Sequence, residues 1–149
     1  TTENLVPWGP EEKIKWGKAQ TLKRSYQDEV LSKIEELEAT LAVINYGALS
    51  YDPARYPLFY LQDPDFSPEK KTILITGGVH GYETSGVQGA LRFMETEVCH
   101  YAEKFNIICF PCISPWGYET INRWNPLAID PNRSFYENSP AEECKLFLR

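Results

Sequence analysis

Apolar positions along the chain fall into two periodicities that alternate. From about Glu11 to Asn45 they recur every three or four residues, at Val30, Ile34, Leu37, Leu41 and Ile44, with Asp28, Glu29, Lys33, Glu35, Glu36 and Glu38 between them. That spacing predicts helix, broken once, with one apolar stripe and a solvated acidic face. Gly47 is expected to end it, and Pro53 and Pro57 to mark a loop. Leu58-Phe59-Tyr60-Leu61 then predicts a short strand closed by Asp63-Pro64-Asp65. Thr72-Ile73-Leu74-Ile75-Thr76 is continuously apolar and β-branched, the pattern of a strand buried on both faces. A helix over roughly Thr84 to His100 follows, with Val87, Leu91, Met94 and Val98 on one side, and then a strand from Phe105 to Ile113. Residues from Ala141 to Arg149 read as the opening of another helix.

Strand, helix and strand in succession predict an α/β fold: part of a mostly parallel or mixed sheet flanked by helices, preceded by an N-terminal helical segment. The expected division is residues 1–50 as a helical segment packing on a domain formed by residues 51–149. In such sheets sites form beyond the carboxyl ends of strands. Two loops stand there, Gly77 to Glu83 and Ser114 to Phe135.

Composition narrows the picture. At 149 residues, with 42% hydrophobic and 13% aromatic residues, a packed core is within reach. The net charge of −6, from 21 acidic and 15 basic residues, argues against nucleic acid as partner. No apolar run approaches a membrane span. Cys109-Phe110-Pro111-Cys112 has CxxC spacing, yet it ends an apolar run and has no second pair, so ordinary buried thiols are expected. Free thiols, and a start at Thr1-Thr2-Glu3-Asn4 without a basic-then-apolar leader, lead us to expect a cytoplasmic protein. The chain lacks an initiator Met, which leaves room for a trimmed leader.

Candidate chemistry sits in the two loops. In Gly77-Gly78-Val79-His80-Gly81-Tyr82-Glu83-Thr84, His80 and Glu83 lie three residues apart at a strand-to-helix turn and can share one metal ion. On its own the pair is equally compatible with a surface His and a helix-capping Glu. A phosphate-cradling loop fits poorly, since the turn has neither GxxxxGK[ST] nor GxGxxG. A nucleophile elbow at Ser85 fails because Glu83 stands where the first Gly should be. The second loop carries Arg123-Trp124-Asn125 and Asp130-Pro131-Asn132-Arg133-Ser134-Phe135. Arginine grips carboxylates bidentately, and a second one can stabilise an oxyanion. A turn with solvated arginines explains the same residues taken alone.

Taken together, GGVHGYETSG after a strand, then Pro115-Trp116-Gly117-Tyr118-Glu119, then RxN and DPNRSF, resemble the zinc carboxypeptidase family in order and spacing, from about Thr72 to Phe135. The resemblance is nearest to its compact bacterial branch, related to murein-peptide amidases and the succinylglutamate desuccinylase and aspartoacylase group. It implies zinc as cofactor, with His80 and Glu83 as ligands. It further implies that Arg123 polarises the scissile carbonyl and that Asn132 with Arg133 holds a substrate carboxylate. The implied activity is hydrolysis of a peptide or amide bond beside a free-carboxylate, amino-acid-like group, on a peptide or N-acyl amino acid. The alternative is a catalytically silent relative that binds a carboxylate ligand or a partner protein. Pro131, Ser134 and the Ser114-Pro115-Trp116-Gly117 turn depart from the family's usual Leu, Asn and Asn-Pro-Asp-Gly, next to the presumed substrate contacts. The family's third zinc ligand, a His, and its catalytic Glu come well after the NR pair. This chain ends sixteen residues after Arg133, and its other His, His100, is expected at a helix end remote from His80. The expectation is the N-terminal part of a longer enzyme, inactive as a fragment, with an open strand edge that promotes association.

Overall fold

The computed structural model describes residues 5–149. The polar opening, residues 1–4, from which no leader was expected, lies outside the described residues. Among these residues four strands form one mixed sheet in the order β1-β2-β4-β3. They are β1 (Ala42–Ala48), β2 (Pro57–Gln62), β3 (Lys71–Thr76) and β4 (Phe105–Phe110). β1 and β2 pair antiparallel, as do β2 and β4, while β3 lies parallel to β4 in register from Lys71↔Phe105 to Thr76↔Phe110. Between β3 and β4 the chain crosses over through α3 (Thr84–Thr96) and a short α4 (Val98–Tyr101). This is the βαβ unit expected from the pattern.

The N-terminal apolar stripe does not form one continuous helical stretch to Asn45. Helix α1 covers only Pro10–Ala19, and the second helix runs as a π-turn over Gln27–Leu31 and as α2 over Ser32–Leu37. Leu41 and Ile44, which extend the helical stripe on paper, lie after the helix has ended, and Ile44 pairs with Tyr60 in β1. The reason is tertiary. Val43-Ile44-Asn45-Tyr46 is β-favouring, and a strand partner 12 or more residues away outweighs a helical spacing that continues by coincidence. Gly47 therefore ends no helix. At φ +150° it forms the bulge that shifts the β1–β2 register between Asn45 and Gly47.

The core packs one sheet face against the second helix and α3. Tyr26, Val30, Leu58, Leu61, Val87, Met94, Ile107 and Cys109 are all buried in it. Across the sheet Phe110 meets Phe147 of α6 (Glu142–Phe147), with ring centroids 4.5 Å apart. All four tryptophans lie in one edge-to-face chain, Trp8–Trp124–Trp16–Trp116, which pins α1 to the second loop. No helix of the described residues is long and apolar enough to cross a membrane.

β3 is not buried on both faces as its composition predicts. It sits at the sheet edge, and Ile73 and Leu74 are 37% and 54% exposed. Its composition suits a strand with neighbours on both sides, but among the described residues only β4 pairs with it. The remaining expectations shift less. The helix from Thr84 breaks at Glu97 (φ −112°) before His100, and β4 stops at Phe110 because Pro111 follows.

Candidate metal centre

Both motif loops leave the carboxyl ends of the parallel pair β3 and β4, side by side. Backbone bonds zip them together: Ile113 N–H to Gly77 O at 3.1 Å, Ser114 N–H to Gly78 O at 2.9 Å and Tyr82 N–H to Asn122 O at 3.2 Å. Two glycines allow the approach. Gly78 has φ +61°, in the left-handed region that favours glycine. At Gly81 a Cβ would stand 2.1 Å from Tyr118 N and 2.3 Å from Gly117 C, inside the start of α5 (Pro115–Thr120). Ser114, one of the departures noted above, donates its hydroxyl to Val79 O at 2.6 Å.

This turn buries His80 and brackets its imidazole. Nε2 lies 2.7 Å from Asp130 Oδ1, and Nδ1 lies 3.3 Å from Glu83 Oε1. Partial burial pushes the Asp130 carboxyl up, but hydrogen bonds from His80, then Arg123 and the Asn132 N–H, outweigh it and hold it below its ordinary value. An ionised carboxylate only accepts, so Nε2–H donates to Asp130, and a cation held between Nδ1 and Glu83 would require Nδ1 to be unprotonated. Two ligands about 2.0–2.1 Å from one tetrahedral ion stand roughly 3.3–3.4 Å apart, and the observed separation is 3.3 Å. A histidine whose far nitrogen donates to a carboxylate is the arrangement that fixes tautomer and ring orientation in metal sites.

Asp130 therefore gathers the second loop around the first. Its Oδ1 also accepts from Asn132 N–H at 3.0 Å. Its Oδ2 accepts from Arg123 Nε at 3.2 Å and Nη2 at 3.1 Å, and lies 3.8 Å from Arg133 Nε. The carboxylate was visible in the sequence, but no role attached to it. Its partner His80 lies 50 positions away, so only the fold reveals the contact. Tyr82 also holds Arg123, raising its pKa together with Asp130. Asn132 and Arg133 share a 3-10 turn, Pro131–Arg133, with both side chains exposed, Arg133 to 83%.

Pro131 and Ser134 do not face outward with them. Pro131 is buried and its carbonyl accepts from Cys144 Sγ, while Ser134 donates to Asp130 O at 2.8 Å. These departures shape the support of Asp130 rather than a substrate surface. Ile121, between α5 and Arg123, holds φ +54°. A β-branched residue there is strained by about 1–2 kcal/mol, and nothing in the sequence announced it.

His100 lies beyond α3, which at 13 residues is about 20 Å long, and it plays no part in the turn. Among the described residues no group of three or more His, Cys, Asp or Glu is arranged to hold a metal ion. Cys109, Cys112 and Cys144 are buried free thiols and Cys99 is exposed.

Comparison with known proteins bears on the family and the fold. No curated protein sequence matches the chain. Among solved structures, a candidate metallopeptidase from Shewanella baltica OS155 is 25% identical with a TM-score of 0.65, the alignment covering 83% of this chain and 47% of that one. A second, from Shewanella amazonensis SB2B, is 25% identical at TM-score 0.66, covering 87% and 54%. A metallo-carboxypeptidase from Burkholderia cenocepacia shares the fold at 15% identity and TM-score 0.66, covering 81% and 36%. The chain thus spans about half the length, or less, of the structures it matches. The family model for zinc carboxypeptidases matches residues 44–145. A match over more than half the chain, enclosing the His80 turn and the Asp130 hub, places this chain in the zinc carboxypeptidase family.

Proposed function

We propose that the protein is a zinc-dependent hydrolase of a peptide or amide bond beside a free carboxylate. The observation that carries this is the bracketed imidazole of His80, with Asp130 on one nitrogen and the Glu83 carboxylate 3.3 Å from the other. That donor set suits zinc, one imidazole nitrogen and one carboxylate oxygen with a second carboxylate behind the ring. His80 Nδ1 and Glu83 would hold the ion together with a ligand from outside the described residues. When bound, zinc brings the pKa of a coordinated water close to neutrality and polarises a carbonyl.

The chain's own residues divide the remaining work. Asp130 keeps His80 in the tautomer that offers Nδ1. Arg123, anchored through Nε and Nη2, keeps other guanidinium donors for the oxygen of a substrate carbonyl. A preorganised donor of that kind is worth about 10²–10³ in rate. Asn132 and Arg133, exposed on the adjoining turn, suit a bidentate grip on a terminal carboxylate. The substrate class that follows is a peptide or N-acyl amino acid, with nucleic acid and membrane as no part of its recognition, in a cytoplasmic protein.

The test uses the full-length gene product. Zinc content and hydrolysis of acyl amino acids would be measured beside the same substrates with the carboxylate amidated. His80→Ala is expected to remove zinc and activity together, and Asp130→Ala to weaken zinc binding by about 10–100-fold. Amidation is expected to raise KM. Full activity without His80 would sink the assignment.

A further inference from the structure

The segment between α1 and the second helix, residues 20–26, has almost no regular structure and lies outside the matched region 44–145. It is nevertheless strapped to both site loops. Gln20 Oε1 accepts from Asn122 Nδ2 at 3.0 Å. Lys23 and Arg24 N–H both donate to Glu119 O, at 2.8 and 3.3 Å. Tyr26 N–H donates to Glu119 Oε1 at 2.8 Å.

Within this strap the Arg24 side chain is unusual. Its guanidinium carbon lies 3.7 Å from the centroid of the Tyr118 ring, and its three nitrogens diverge to three acceptors. Nε donates to Tyr118 O at 2.6 Å, Nη1 to Thr84 Oγ1 at 2.5 Å and Nη2 to Gly81 O at 3.2 Å. Among the described residues it forms no salt bridge, so its planar fork is used for geometry rather than charge pairing. Gly81 and Thr84 flank Tyr82 and Glu83, and Tyr118 belongs to α5, against which Gly81 is pressed.

We propose that Arg24 is a positioning residue for the metal-ligand turn. Its fork fixes the peptide leaving Gly81 and the first residue of α3, and with them the 3.3 Å spacing of His80 Nδ1 and Glu83 Oε1. The inference rests on the zinc-ligand role of that pair proposed above. Metal sites tolerate ligand distances only within about 0.2 Å, so a turn freed to rotate loses affinity steeply. Charge works the other way: removing a cation near the site would, by itself, tighten binding of another cation.

The experiment compares Arg24→Met, Arg24→Lys and Arg55→Met in the full-length protein, with zinc affinity read by chelator competition. Arg55 binds the same Glu119 hub but does not touch the turn. Both Arg24 variants are expected to weaken zinc binding about 10–100-fold, since an ammonium cannot span the three acceptors, while Arg55→Met leaves it within about threefold. Unchanged or tighter binding in Arg24→Met or Arg24→Lys overturns the proposal, as does an equal loss in Arg55→Met. If Arg24→Met does not fold, Thr84→Ala removes one acceptor and should still weaken zinc measurably; wild-type affinity there overturns it too. Should the wild type take up no zinc, the metal reading fails separately. Amide hydrogen exchange then decides the positioning role: Arg24→Lys should accelerate residues 83–86 selectively, and uniform or absent acceleration refutes it.

Discussion

Replacing Glu119 by glutamine tests how the N-terminal segment is bound to the site. Glu119 is 1% exposed, and its carboxylate accepts four hydrogen bonds. Oε1 takes Tyr26 N–H at 2.8 Å and Arg55 Nη2 at 3.1 Å; Oε2 takes Arg55 Nε at 2.6 Å and the Tyr56 hydroxyl at 2.8 Å. Glutamine can keep its oxygen on Tyr26, which sets its NH2 against the Arg55 Nε–H. The Tyr56 hydroxyl can rotate to accept, but Arg55 must let go. Breaking a fully buried pair costs about 3–5 kcal/mol. Arg55 is 40% exposed and can turn to water, so its share is discounted. The lost charge-assisted bonds then leave about 2 kcal/mol for Glu119→Gln. Glu119→Ala, which also strands Tyr26 N–H, should cost about 4 kcal/mol. Urea unfolding followed by circular dichroism reads this directly. With a slope of about 1–3 kcal/mol/M, the glutamine variant should lower the midpoint by about 1 M. A midpoint within about 0.2 M of wild type would show that the hub does not hold the strap.

Glu143 behaves oppositely. It is 1% exposed, and burial raises the pKa of its carboxyl against the weaker opposing pull of its own backbone N–H and the Asn125 side chain. A carboxyl raised on folding binds more protons in the native state, so stability falls as pH rises above the unfolded value of about 4.3. Glu143→Gln should therefore stabilise the protein at pH 7 by about 1–2 kcal/mol and lose that advantage as pH falls below about 4. Thermal melts across pH check it, and destabilisation at pH 7 would refute it. Burial also pushes the thiols of Cys109 and Cys144 up to about 12, and Cys112 up as well. Of the four cysteines in the chain, a thiol reagent at pH 8 should label only the exposed Cys99 in the native state, and the three buried ones on unfolding. Rapid native labelling of Cys112, located by peptide mapping, would contradict the buried placement.

The legible parts of the molecule are those written within short windows. The β3–α3–β4 unit follows from local periodicity, and the two loops converge because both strands point the same way. Val43 to Tyr46 misled because their spacing also continues a helix, and only pairing with Pro57–Gln62 decides between the two. Ile73 and Leu74 misled because composition reports what a strand can be packed against, not what surrounds it among residues 5–149. In the candidate site, His80, Glu83, Arg123, Asn132 and Arg133 could be named from motif order; the fold brings His80, Arg123, Asn132 and Arg133 around Asp130 and sets Glu83 against the far side of His80. The supports could not be named. Arg24 reaches Gly81 across 57 positions and Asp130 reaches His80 across 50, and no periodicity encodes such contacts.

The bare backbone contact between Gly81 and α5 bears on how a ligand would be received. With no side chain between them, neither loop can slide without carrying the other, so slow loop closure is a poor route to adapting the site. Under the proposed function, adjustment would fall instead to rotation of the exposed Asn132 and Arg133 side chains, since exposed side chains exchange rotamers on the picosecond-to-nanosecond scale. The entropy of ordering the loops is then spent when the chain folds, and a ligand meets a surface already in shape.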